Sequence, residues 1–316
     1  MRKLWFLTTK IGGMLLTLLI ASVLIFAAMH FAPGDPAAMI AGPNAHEETL
    51  AAIKNDFGLN DPVLVQYFNW LMNVLQGDFG RSYVFRSDVM SLITPRLATT
   101  LSLVAYAGLI IIVLGVGLGI LAAFQEGWIS RSISAATSVM MGIPTFVVAI
   151  LLITIFSQYL SWFPVYGTGT GFGGVIKHLT LPAISLACAY LALVARITRT
   201  SVRGEMFSEH VETAWVRGMS PRYVIPQHVL KNASSQIFQV SGLTLAGLFA
   251  GTAIAEQAFG ISGVGSLLVE AATRQDVPVV QILTLFMVVL YVVVNTVVDL
   301  INAAIDPRMI QGGSKA

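Results

Sequence analysis

The sequence predicts an all-α polytopic membrane protein with six transmembrane helices and a small region outside the membrane after the first of them. Three observations carry this. Of the 316 residues, 56% are hydrophobic and only 11% are charged, against roughly 25% charged residues in a soluble domain. Six apolar runs approach or exceed the ~20 residues needed to cross a hydrocarbon core. The charges are gathered into a few stretches between those runs, and a net charge of +2 is too small to suggest nucleic-acid binding.

The first run, Ile11 to about Met29, follows Arg2, Lys3 and Lys10. It is longer than the usual ~7–15 residues of a signal-peptide core, so residues 1–30 are expected to hold a retained span. Residues 31–98 mix charge with turn formers. The turn Pro33-Gly-Asp-Pro36 would stop the membrane helix, and Pro62 can open a helix. In that helix Leu64, Phe68, Leu71 and Leu75 recur at helical spacing, a pattern expected to pack the region on itself. The remaining spans, at about Thr99–Phe124, Ser132–Ser157, Leu179–Thr198, Ala233–Ala255 and Val279–Ala304, make a membrane core over 99–304. A polar loop at 200–232 interrupts this core, and a tail follows at 305–316. Pro144 is expected to kink the third span.

An even number of spans puts both ends on one side. That side carries twelve Lys and Arg residues and the other six. The positive-inside bias therefore places both termini and the 200–232 loop in the cytoplasm. Within the spans, Gly115, Gly117 and Gly119, and Gly242, Ala246, Gly247 and Gly251, would let helices approach closely. The hydroxyls of Ser102, Thr154, Ser185, Thr244, Thr252 and Thr296 are expected to bond their own backbone. Asp299 is the clear ionisable residue at membrane depth, and a structural pairing with an arginine of another helix is expected for it. So little buried charge weighs against an ion-coupled carrier.

The longest polar passage of the second half runs from Glu209 through Gly218 to Asn232. Ser208 is a plausible N-cap, Glu209 and Glu212 suit the first turn, and Arg217 with Gly218 supplies a cationic last turn and a stop. The outcome is a helix of about nine residues with Val211, Ala214 and Trp215 on one apolar stripe. Ser220-Pro221 would open a second short helix beyond the glycine. Too short for a domain and too well punctuated for a slack linker, the passage is expected to be a docking surface.

Glu212-Thr-Ala214 followed by Gly218 resembles the "EAA" loop in the membrane subunits of binding-protein-dependent ABC importers; Thr213, in place of the first alanine, is similar to the peptide-permease branch. Pro33-Gly-Asp-Pro36, Gly58-Leu-Asn-Asp-Pro62, Gln66-Tyr67 with Trp70, and Gly77-Asp-Phe-Gly80-Arg-Ser82 resemble the extracytoplasmic region of the dipeptide/oligopeptide/nickel branch. Glu256 through Gly265 is similar to the family's re-entrant segment before the last span, and Asp299 with Asp306-Pro-Arg308 to its carboxyl end. His228 resembles the histidine that ends the loop motif, where packing or capping is its expected role.

The resemblance spans Arg2 to Arg308 and implies the type I ABC importer permease fold in a bacterial cytoplasmic membrane. The implied function is ATP-driven import of di- or oligopeptides; nickel or another small solute of the same branch is the alternative. The implied partners are a second homologous permease, two ABC ATPase subunits, an extracytoplasmic solute-binding protein and membrane lipid. Glu209, Glu212, Thr213, Ala214, Arg217 and Gly218 would couple to the ATPases, and Asp35, Asp78, Phe79 and Arg81 would lie where the binding protein docks. No phosphate loop of the form GxxxxGK[ST] occurs, so ATP and Mg are expected on the partner subunits and no cofactor in this chain.

One enzymatic pattern competes. Gly260-Ile-Ser262-Gly263 superficially matches the nucleophile motif of rhomboid-type intramembrane proteases. Such a serine needs a base within hydrogen-bond reach. All five histidines, His30, His46, His178, His210 and His228, precede Ser262, whereas that family places its histidine on a later span. No two histidines stand at i, i+4 and Cys188 is the only cysteine, so neither a catalytic residue nor a metal site is expected.

Overall fold

The computed structural model describes residues 2–31, 36–41, 46–56 and 58–305. Long apolar runs in lipid must satisfy their backbone internally, and the described residues accordingly form helices. In order these are α1 (Arg2–His30), α2 (Pro36–Ala41), α3 (Glu47–Asp56), α4 (Val63–Leu75) and α5 (Val89–Phe124). A bent pair follows, α6 (Trp128–Gly142) and α7 (Thr145–Tyr159), and then α8 (Gly171–Met206). The last four are α9 (Glu209–Val216), α10 (Pro221–Ala258), α11 (Val264–Thr273) and α12 (Val277–Ile305). Among the described residues, α1, α5, α8, α10 and α12 are long and apolar enough to cross a membrane.

The third expected span is a break rather than a kink. α6 and α7 meet at 105°. Ile143 and Pro144 both have extended backbone, and Pro144 has no N–H with which to continue a ladder, so the helix stops and restarts. The pair still carries the chain across. Ala123 at the end of α5 packs with Val202 of α8 and Val211 of α9, whereas Tyr166, just beyond α7, lies against Gly260 at the other end of the bundle. Counting the pair once gives six candidate crossings among the described residues. Lys10 and Asp299 then lie toward the near end, and His30, Val89 and Val277 lie at the far end.

Several helices outrun the spans expected for them. α5 begins at Val89, ten residues before Thr99, and takes in Pro95 and Arg96, whose guanidinium folds back to donate to the Leu92 carbonyl at 2.6 Å. α8 has 36 residues and α10 has 38, about 54 and 57 Å at 1.5 Å per residue. Both exceed the ~30 Å hydrocarbon core by well over three helical turns. The second short helix expected after Ser220 is the first turn of α10. Pro221–Val224 passes through a π-helical segment, Ile225–Leu230, where Pro226 has no N–H to donate, and continues as Lys231–Ala258.

A central core of Leu103, Ala107, Leu186, Leu191, Leu248 and Phe249 joins α5, α8 and α10. Close approach is set by glycine where it matters. A Cβ at Gly119 would fall 2.5 Å from Thr198 Cβ and 2.6 Å from the Ala195 carbonyl oxygen of α8, while Gly117 has nothing within 4 Å. Hydroxyls in the spans bond their own helices as expected: Ser102 to Ala98, Ser185 to Pro182, Thr244 to Ser241, Thr252 to Phe249 and Thr296 to Val292. Asp299 pairs with Lys10 of α1 rather than with an arginine, a lysine placed by the α1–α12 packing that the sequence spacing does not reveal.

α4 reverses its expected orientation. Leu64, Phe68 and Leu75 are exposed, and Tyr67, Trp70 and Val74 face inward. The helix is apolar on both faces, so spacing alone cannot choose between them. The choice is made by the Tyr67 hydroxyl, 2.9 Å from Ser22 Oγ of α1, and by the Tyr67 and Trp70 rings around Phe26.

Candidate functional site

α9 hangs between the near ends of α8 and α10. Its buried residues are Val211, 1% exposed, and Ala214, 3% exposed, and they pack with Val202, Val224, Val229 and Ala233. Trp215, expected on the same stripe, is 41% exposed, and Val216 is 84% exposed. The i, i+3 pair is buried and the i+4 residue sits at its margin because an eight-residue helix rests on only two neighbours. Phe207 and Tyr223 are exposed beside it. Large apolar side chains thus face outward on a projection that the long α8 and α10 carry beyond the membrane core.

The local chemistry explains the shape. Ser208 has the extended backbone of an N-cap and its carbonyl accepts from Val211 and Glu212, but its hydroxyl donates backward to Glu205 O at 2.7 Å. The cap is therefore made by the backbone, with Glu209 and Glu212 in the first turn beside the unpaired N–H groups. Thr213 Oγ1 donates to Glu209 O at 2.8 Å, which leaves both carboxylates free on the outer face. The helix ends where Gly218 N–H reaches Trp215 O at 2.9 Å and Met219 N–H reaches Ala214 O at 3.2 Å. Gly218 has φ +74°, with nothing within 4 Å of an added Cβ, so glycine is needed there for its backbone angle and not for space.

The hairpin is tied at its base. Ser201 Oγ of α8 donates to Gln236 Oε1 of α10, and His210 Nε2 lies 2.8 Å from Asn232 Nδ2. His228, in the π-helical segment of α10, packs near the rings of Tyr223 and His210. The first tie joins α8 to α10 and the second joins α9 to α10, and the motif residues Glu209, Glu212, Thr213 and Ala214 lie on α9 with Arg217 and Gly218 immediately after it.

At the far end, Asp78, Phe79 and Arg81 come together on the rim of a cavity of about 710 Å³, along with His30, Trp70 and Gln281. Asp78 Oδ1 accepts from Gly80 N–H at 3.0 Å, and Arg81 approaches Asp88 at 3.7 Å. Phe79 turns inward against the cluster of Val89, Ile93 and Leu267. Asp35 lies outside the described residues. In the same lining Tyr83 is half-buried, and burial followed by the charge of Asp276 raises its phenol above the ordinary value. Ser262 is exposed at a separate cavity of about 470 Å³ whose lining, with Arg96, Glu256, Glu270 and Arg274, includes no histidine.

Two carboxylates are fully buried: Glu256, the first residue of the segment similar to the family's re-entrant stretch, and Asp276, which no motif included. For Glu256 a carboxylate after the small and apolar run Gly251–Ala255 was the available signal, whereas Asp276 follows Arg274 and Gln275 and carried none.

Residues 115–311 match the family described as binding-protein-dependent transport system inner membrane component, and residues 3–104 match the N-terminal part described for such membrane components. A protein of Sinorhizobium fredii named a probable peptide ABC transporter permease is 36% identical over 291 residues, 91% of this chain and 93% of that protein. The glutathione transport system permease protein GsiC of Salmonella typhimurium is 34% identical over 301 residues, 95% of this chain and 97% of that protein. Among solved structures, an inward-facing form of the MetNI methionine ABC transporter aligns with TM-score 0.55 at 18% identity, over 69% of this chain and 97% of that one. The alignment shares the fold, and the family match spans most of the sequence: the chain belongs to the inner membrane components of binding-protein-dependent transport systems.

Proposed function

We propose that this chain is one transmembrane subunit of an ATP-driven importer of di- or oligopeptides. The observation that carries the reading is the α8–α9–α10 hairpin: an eight-residue helix fixed on its inner side and presenting Trp215, Val216 and two carboxylates outward. On this reading the near side is the cytoplasm, in keeping with its excess of Lys and Arg. An ABC ATPase subunit covers α9, and a second permease with its own ATPase completes the pore. ATP and Mg are held by those partners. Closure of the ATPases shifts α9, and the long α8 and α10 carry that shift through the membrane as levers between inward- and outward-open states. The solute-binding protein docks at the far side around Asp78 and Arg81. The peptide class is supported by the names of the relatives at 34–36% identity.

The test is purification of the tagged chain from native membranes with its bound proteins, then reconstitution in liposomes and uptake of labelled di- and tripeptides. ATP-dependent uptake that is lost on Val216→Asp, with membrane insertion intact, is the expected result. A chain that purifies alone, or uptake indifferent to changes on the outer face of α9, would overturn the coupling role.

A further inference from the structure

The short helix α11 is held at both ends by a buried carboxylate. At its start three N–H groups of the first turn have partners. Val264 N–H donates to Thr100 Oγ1 at 2.8 Å, Ser266 N–H donates to Glu256 Oε2 at 2.7 Å, and Leu267 N–H donates to Gly263 O at 3.1 Å. Thr100 Oγ1 in turn donates to Glu256 Oε1 at 2.7 Å, so one carboxylate joins α5, α10 and α11. The contact is tight. A Cβ at Gly263 would strike the Glu256 carboxylate, and one at Gly265 would lie 2.6 Å from the Ala253 backbone nitrogen.

At its other end Gln275 takes φ +59° and turns the chain so that Asp276 N–H returns to Ala271 O at 2.8 Å. The Asp276 carboxylate accepts from Ser82 Oγ, from Tyr83 N–H at 3.1 Å and from Val84 N–H at 3.3 Å. Ser82 Oγ also accepts from Phe85 N–H at 2.7 Å, and the Arg274 guanidinium lies over the Phe85 ring at 5.6 Å. The loop between α4 and α5 is thereby wrapped around an anion that belongs to the start of α12.

We propose that Glu256 and Asp276 are positioning residues that make α11 a rigid strut, about 15 Å long, between the far-side loop at 78–88 and the outer ends of α5 and α10. The functional consequence rests on the importer reading: a binding protein that moves the Asp78–Arg81 rim moves α11, and through Glu256 moves α10, which begins at the α9 hairpin.

Hydrogen exchange on the full chain in lipid nanodiscs tests the strut without any partner. The isosteric Glu256→Gln loosens Ser266. If α11 is a strut, it also raises exchange at Tyr83 and Val84, and Asp276→Asn raises it at 264–266. Changes confined to the substituted end of α11 overturn the proposal. Ser82→Ala, which removes one donor and no charge, guards against a variant that fails to fold.

In the reconstituted complex, each variant is expected to keep basal ATPase activity and to lose about fivefold or more of the binding-protein stimulation. The double variant loses no more than the worse single one, as for two joints of one linkage. Additive losses point to independent damage and overturn the linkage. Absence of stimulation in the unaltered complex, with exchange still propagating, refutes the importer reading and leaves the strut standing.

Discussion

Gly218 gives the sharpest prediction, because its two possible roles separate by geometry. The residue adopts φ +74° with open space where a side chain would start. Alanine there therefore meets no clash and costs only the left-handed backbone, about 1–2 kcal/mol. That corresponds to a roughly 5–30-fold rise in opening of the α9 terminus at ~1.4 kcal/mol per tenfold. The amide of Met219, bonded to Ala214 O, reports it directly by hydrogen exchange. Asparagine tolerates this conformation and is expected to fall between glycine and alanine. Tryptophan is expected to match alanine in exchange, since its bulk points into open space, yet to lose ATPase stimulation far more severely under the proposed docking of an ATPase on that surface. Equal exchange for glycine and alanine would refute the backbone argument, and equal stimulation for alanine and tryptophan would refute the covered surface.

Gly119→Ala should destabilise the chain by about 1–3 kcal/mol, as overpacking does, since the added methyl meets Thr198 and the Ala195 carbonyl; Gly117→Ala, with nothing nearby, is the matched control in detergent thermal unfolding. Lys10→Met and Asp299→Asn should show a coupling energy of order 1 kcal/mol in a double-mutant cycle, the pair being partly exposed; strict additivity would mean that the contact contributes nothing. Tyr83, whose phenol is raised by burial and by Asp276, should stay protonated where ordinary tyrosines ionise. The raised group supports folding fully below the ordinary phenol value near ~10 and loses that support as pH rises through the higher folded value. A late step in ultraviolet titration that disappears in Tyr83→Phe is the expected signature.

Much of the architecture was legible in the sequence because lipid imposes a coarse rule that composition must obey. Spanning length, charge asymmetry and the Glu212–Gly218 punctuation each follow from residue type and spacing, and the helices appear where the apolar runs lie. Gly218 could be assigned its stop because a glycine just past a short helix is a local matter, although the last turn is not cationic: the helix ends at Val216 and Arg217 is the residue beyond it. What remained hidden depended on which surfaces meet. The apolar run around Pro144 looked like one kinked span, and only the path from Ala123 to Tyr166 shows two helices at 105°. α4 offered two apolar faces, and the Tyr67–Ser22 contact chose between them. Asp299 called for a partner, but only the packing of α1 on α12 named it as Lys10. Glu256 and Asp276 stand 20 positions apart in a largely apolar segment. Their partners Thr100 and Ser82 are 156 and 194 residues away. A buried carboxylate is defined by the donors that surround it, and those donors are brought together by tertiary packing alone.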